Sequence, residues 1–274
     1  LATGTPIVFV VSLALSAAVI GALWWKDVIR PTSLDRARDV SKIPTPVWLL
    51  CAAMVYLAQM EAGMLMLQWK GVGTAGSVRH EALLSIPYHL AGLVVGGLMV
   101  FLLRARAGAR AGLEIGARDV IAGTLAMLMA APVCVCVSIV CEWIAGAGKN
   151  DVAHSTLRTI IDNRGSPWEG VLVLGAVVAA PIVEEIVYRG LLQSCLLNAL
   201  GSAWGAIIGT SAIFAAMHWI GGGPVPWYVV PVLFVLSVAM GVAYERTRRL
   251  GVPMTMHALF NLGNVVVGMA MHPR

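Results

Sequence analysis

The sequence predicts an all-α polytopic membrane protein of about eight transmembrane helices with a polar cavity inside the membrane. Of its 274 residues 59% are hydrophobic and only 12% charged, with a mean hydropathy of +0.83, which excludes a soluble globule of this size. The apolar residues come in runs of roughly 18 or more, long enough to cross a bilayer as helices. Inside one run lie two carboxylates and an arginine, Glu184, Glu185 and Arg189. A charged side chain there costs about 2.5–3.5 kcal/mol, so such residues face a wet or protein-lined interior and carry function.

The eight spans fall at about 5–25, 46–69, 82–103, 120–145, 170–197, 203–220, 227–244 and 253–271, each bounded by Gly, Pro or charge. The first has no basic stretch before it and ends in Trp24-Trp25-Lys26, so it reads as a membrane helix rather than a cleaved signal peptide. The first four carry few polar residues, namely Gln59, Glu61, His89 and a rim Glu142. Between the fourth and fifth spans, the longest loop, about 146–169, is a run of turn formers such as Asp162-Asn163-Arg164-Gly165. The whole chain, 1–274, reads as one membrane domain. Its N-terminal helices, 1–145, have no assigned role, and its chemistry is concentrated in a four-helix core, 170–271.

On the fifth span Glu185 and Arg189 are i,i+4 neighbours with the acid on the N-terminal side, the better orientation for an ion pair, and Glu184 is turned about 100° away. One carboxylate is then neutralised locally and the other is free to act as a general base toward water. Pro181 removes a backbone donor just before the pair and leaves a carbonyl open to a polar ligand. The bland reading of the group is an ion pair that glues helices together. The sixth span ends in Phe214-x3-His218-Trp219, which sets a ring and an imidazole on one face, although a histidine beside a tryptophan at a span end is commonly interfacial. The eighth carries His257-x3-Asn261, again i,i+4, whose bland reading is a pair of interhelical hydrogen bonds. Upright helices would leave Glu184 near mid-membrane, His218 toward one end of its span and His257 toward the opposite end. Tilted or kinked helices, helped by Pro181, Pro231 and Pro253, or a re-entrant stretch around 221–224, would bring them together, or else the span boundaries are off by a turn or more.

Charge in the loops sets orientation. Twelve Lys and Arg fall on one side, in the loops around 26–42, 104–118 and 246–249; six fall on the other, and Arg189 is inside a span. The bias places both chain ends outside and the Arg-rich loops in the cytoplasm. The net charge of +5 is then membrane-surface electrostatics, and no phosphate-cradling glycine loop or aromatic-basic pattern points to nucleic acid. The five cysteines all lie within spans and read as small apolar packing residues; Cys134-x-Cys136 points in two directions on a helix, a poor metal spacing.

Taken in order on separate membrane helices, Glu184-Glu185-x3-Arg189, Phe214-x3-His218 and His257-x3-Asn261 resemble the CPBP family of intramembrane proteases, which includes the CAAX prenyl endopeptidases and the Abi proteins linked to bacteriocin processing and immunity. The flanks are similar too: Pro181 before the acids, Tyr188-Arg189-Gly190 after them with Tyr where the family often has Phe, and Asn261-Leu262. The resemblance spans about 170–265. It implies an endopeptidase of the bacterial plasma membrane that acts on a membrane-associated peptide or protein. It makes Glu184 the base that activates water, His218 its helper, Glu185 and Arg189 their support, Phe214 an apolar wall, and His257 and Asn261 donors to the oxyanion. The preferred mechanism needs no cofactor. The alternative is Zn²⁺ held by Glu184, His218 and His257, although the His-Glu-x2-His helix of common zinc proteases is absent. Two other classes of function compete, a proton-coupled transporter and a catalytically inactive immunity or scaffold protein of the same fold. A transporter more often shows paired half-repeats, whereas the polar residues here cluster in one half.

Overall fold

The computed structural model describes residues 5–34, 38–146, 155–220 and 225–272. The chain is an all-α polytopic membrane protein: eight of its helices are long and apolar enough to span a membrane. In chain order the helices are α1 (Thr5–Trp25), α2 (Thr45–Leu67), α3 (Val78–Ala107), α4 (Arg118–Ala145), the short α5 (Ser155–Asp162), which is not one of the eight, α6 (Pro167–Leu200), α7 (Ala203–Ile220), α8 (Val230–Thr247) and α9 (Gly251–Met271). Among the described residues the only β pairing is an isolated bridging of Leu113 and Glu114 with Arg249.

α5 lies inside the stretch read from sequence as loop. Ile160 is its one buried residue, packed in a cluster with Ala82 and Leu172, and that tertiary contact outweighs the surrounding turn formers. α6 begins where the chemistry of helix starts says it should, with Ser166 accepting a hydrogen bond from the Trp168 amide and Pro167 at the first helical position. α6 then loosens twice into π-helix, at Gly175–Ala179 and Ile186–Gln193, on either side of the α-helical turn Ala180–Glu185.

α6 is the central post. On one side Val183, Ile186 and Leu191 pack with Trp48, Val55 and Met99 of α2 and α3. A second core, across α4, α7, α8 and α9, gathers Phe214, Leu236, Met240, Val252 and Met256. Lipid tails are as apolar as leucine, so helices in a membrane gain by close fit rather than by hiding from solvent. Gly92 shows this: a Cβ there would stand 2.7 Å from Val183 Cγ1 and 2.9 Å from Gln59 Cδ, so only glycine lets α3 approach α6 this closely. Residues such as Ile7, Phe101, Leu128 and Val266 point outward, as the lipid-facing surface requires.

Candidate active site

The motif residues meet because the helix ends are staggered. α6 and α7 form a hairpin whose turn is set by Gly201 at φ +63°. Glu184 and His218 are each 17 positions from Gly201, so the antiparallel pair stands level. The α8–α9 turn is recessed: Leu250 packs on Gly190, in the middle of α6, rather than at its end. From there α9 needs under two turns to carry His257 to the level of Glu185. The staggered ends close the gap that upright, level helices would leave. The candidate re-entrant stretch at 221–224 lies outside the described residues.

Glu185 is wholly buried, and one oxygen, Oε1, accepts hydrogen bonds from Arg189 Nη1 at 3.0 Å and from His257 Nδ1 at 2.9 Å. Arg189, also wholly buried, donates through Nη2 to Ser237 Oγ (2.8 Å) and to the Ser237 carbonyl (3.2 Å), and its guanidinium lies 5.0 Å from the centre of the Phe214 ring. Glu184 is different. Its side chain is 31% exposed, and its Oε2, which like Glu185 Oε2 is buried without a hydrogen-bond partner, faces His218 Nε2 at 3.8 Å and His257 Nε2 at 3.9 Å.

Both imidazoles are held from behind. His218 Nδ1 lies 2.8 Å from the Phe214 carbonyl and His257 Nδ1 lies on Glu185, so in each ring the anchored nitrogen carries the proton and Nε2 is turned to Glu184. Phe214, buried, packs against both rings at centroid distances of 4.4 and 5.7 Å and against Tyr188 at 5.0 Å. The gaps of 3.8 and 3.9 Å are too wide for direct hydrogen bonds and suit one water held by three polar partners.

Asn261 sits one turn along α9 from His257 and donates through Nδ2 to the carbonyl of Ala176 at 2.8 Å. The reason is backbone accounting. In the π register the amide of residue 181 would bond the carbonyl of residue 176, as Ala180 bonds Gly175, but Pro181 has no N–H. Asn261 supplies the missing donor.

As a metal site, Glu184 Oε2, His218 Nε2 and His257 Nε2 have the chemistry of a zinc donor set, with each ring anchored through its other nitrogen. Their separations of 3.8 and 3.9 Å are wider than the roughly 3.3 Å between donors on a tetrahedral Zn²⁺. Among the described residues no three His, Cys, Asp or Glu side chains are placed to hold a metal ion.

Sequence reasoning reaches the i,i+4 pairs and misses the contacts between helices. The bond from His257 to Glu185, the Ser237 cap on Arg189 and the role of the Ala176 carbonyl have no local signature. Pro181 was the one available pointer to the last.

Residues 166–263 match the family of type II CAAX prenyl endopeptidases, Rce1-like. The membrane-embedded CAAX protease MroQ of Staphylococcus aureus (strain USA300) is 34% identical over 142 residues, 50% of this chain and 53% of that protein. The chain thus spans about half the length of the curated relative it matches. No solved structure matches it. The resemblance to the CPBP intramembrane proteases that the three motifs carry is borne out over this part of the chain.

Proposed function

We propose that this chain is an intramembrane endopeptidase that cleaves a peptide bond in a membrane-associated peptide or protein, with Glu184 as the base that activates water. The observation that supports it best is the convergence of two anchored imidazoles on one buried, otherwise unpartnered oxygen of Glu184, at 3.8 and 3.9 Å.

A water between these groups gives a proton to Glu184 as its oxygen attacks the scissile carbonyl carbon. The carbonyl electron pair moves onto oxygen, and Glu184 returns the proton to the amide nitrogen as the C–N bond breaks. His218 orients the water. His257 donates to the oxyanion, and the second N–H of Asn261 serves the same charge; one such donor is typically worth about 2.7–4 kcal/mol. Glu185 and Arg189 fix His257 from behind. No step requires a metal.

The peptide enters from the cytoplasmic side or laterally from lipid. We place the protein in a bacterial plasma membrane with the Arg-rich loops cytoplasmic, on the twelve-to-six asymmetry of Lys and Arg. The family's name makes prenylated CAAX termini the first peptides to try.

Quantitative proteomics of membranes carrying the wild type or Glu184→Ala tests the reading. One peptide should accumulate unprocessed in the variant. Identical peptide inventories would overturn it and make a proton relay the better account of the buried acids. For the metal-free route, cleavage by purified protein should survive chelators. Stoichiometric zinc that is lost in His218→Ala would overturn that part alone.

A further inference from the structure

The N-terminal half, outside the family match, also reaches this site. α3 runs parallel to α6: Gly92 lies on Val183 and Gly96 on Ile186, and the His89 side chain reaches along to Gly175. Glu184 is next to Val183, so Tyr88, four residues before Gly92, stands about 6 Å nearer the Gly175 end. The His89 ring comes within 3.5 Å of where a side chain at position 175 would begin, and glycine there makes room for it. Tyr88 and His89 pack edge to face, with ring centres 5.4 Å apart, and both are half-buried. Glu184 is near enough to both for its charge to act on them. Among the described residues the half-buried Tyr88 hydroxyl has no hydrogen-bond partner, which leaves its donor open to a ligand.

We propose that Tyr88 and His89 form a subsite for the peptide backbone of the substrate, Tyr88 donating its hydroxyl hydrogen to a peptide carbonyl and His89 hydrogen bonding through a ring nitrogen. An extended peptide advances about 3.3 Å per residue, so a residue set about 6 Å along the helix axis from the level of Glu184 faces the chain roughly two residues from the attacked bond. The substrate would therefore lie along α6 between α3 and α9, and the N-terminal helices would select it as well as support the core. This rests on the endopeptidase reading.

The experiment compares membranes carrying the wild type, Glu184→Ala, Tyr88→Phe, His89→Leu and His89→Gln. A synthetic copy of the peptide that accumulates in Glu184→Ala is then assayed with each purified full chain. Tyr88→Phe removes one hydroxyl and nothing else. It and His89→Leu should each lower kcat/KM on the order of tenfold, through KM rather than kcat, with unchanged melting in detergent. His89→Gln, which keeps a hydrogen-bonding group, should recover most of the loss. If Tyr88→Phe and His89→Leu process the peptide as the wild type does while Glu184→Ala does not, the subsite is refuted and the endopeptidase stands. A loss confined to kcat also refutes it. If Glu184→Ala accumulates no peptide, the endopeptidase reading fails and the subsite falls with it.

Discussion

Two adjacent glutamates have different surroundings because one residue of helix turns the side chain through about 100°. Glu185 turns inward to Arg189 and His257 and has no exposed surface; Glu184 turns to the cavity. Their substitutions should therefore fail in different ways. Glu184→Gln preserves shape but cannot take the proton, so turnover should drop by at least ~10²-fold while the detergent melting temperature holds; retained turnover would remove Glu184 from the chemistry. Glu185→Gln leaves Arg189 buried beside a neutral partner. Breaking such a pair typically costs about 3–5 kcal/mol, so the melting temperature should fall together with activity. An unchanged melting curve would mean the pair contributes little to the fold.

At the scale of the element, α6 is shaped by a proline whose missing amide hydrogen opens its backbone to another helix. If Asn261 acts by satisfying the Ala176 carbonyl, Asn261→Leu leaves that acceptor unpaired, a loss of about 1–3 kcal/mol. Pro181→Ala restores a backbone N–H that can take the same carbonyl, so adding it to Asn261→Leu should recover part of the stability. Melting of the two single variants and the double variant in detergent checks this; strictly additive losses would show that proline and asparagine do not share one carbonyl. The same helix shows what a sequence can tell. Its apolar run made the span plain, and the four-residue spacing made the Glu185–Arg189 pair plain, because both are local. The π turns at 175–179 and 186–193 are not legible, since no residue type marks a π register. Nor is the bond from His257 to Glu185, which joins residues 72 apart. Helix ends were misjudged where helices outlast their apolar part: α3 continues through Arg104 and Arg106 to Ala107.

Across the whole molecule, the four-helix core that carries the motifs is fastened to the N-terminal half by a buried charge from a loop. Arg38 grips Glu245 of α8 with two hydrogen bonds, of 2.9 and 2.7 Å, while its third nitrogen reaches the Ala111 carbonyl, Ser194 of α6 and the Tyr244 hydroxyl. Gln193 donates to the same carboxylate at 2.7 Å. Burial opposes the charge on Arg38, and Tyr244 and Glu245 outweigh it, so the guanidinium is held above its ordinary range. Four segments far apart in sequence therefore depend on one side chain: the loop after α1, the α3–α4 loop, α6 and α8. Counted among the twelve basic residues that set orientation, Arg38 reads in sequence as one more free surface charge; its burial is visible only once Glu245, 207 residues away, is beside it. Arg38→Met leaves Glu245 buried and unpaired, and should destabilise the protein by about 3–5 kcal/mol. Replacing both, Arg38→Met with Glu245→Met, removes the stranded charge and should restore much of that loss, because a buried ion pair exchanged for apolar side chains of similar size is often close to neutral. Since the pair lies two turns and more along α6 from Glu184, the double variant should keep its cleavage activity once folded. Melting in detergent, with the peptide assay on the surviving fraction, separates the outcomes: a double variant as unstable as Arg38→Met would mean that the hydrogen bonds to Ala111, Ser194 and Tyr244, rather than the charge pair, hold the two halves together.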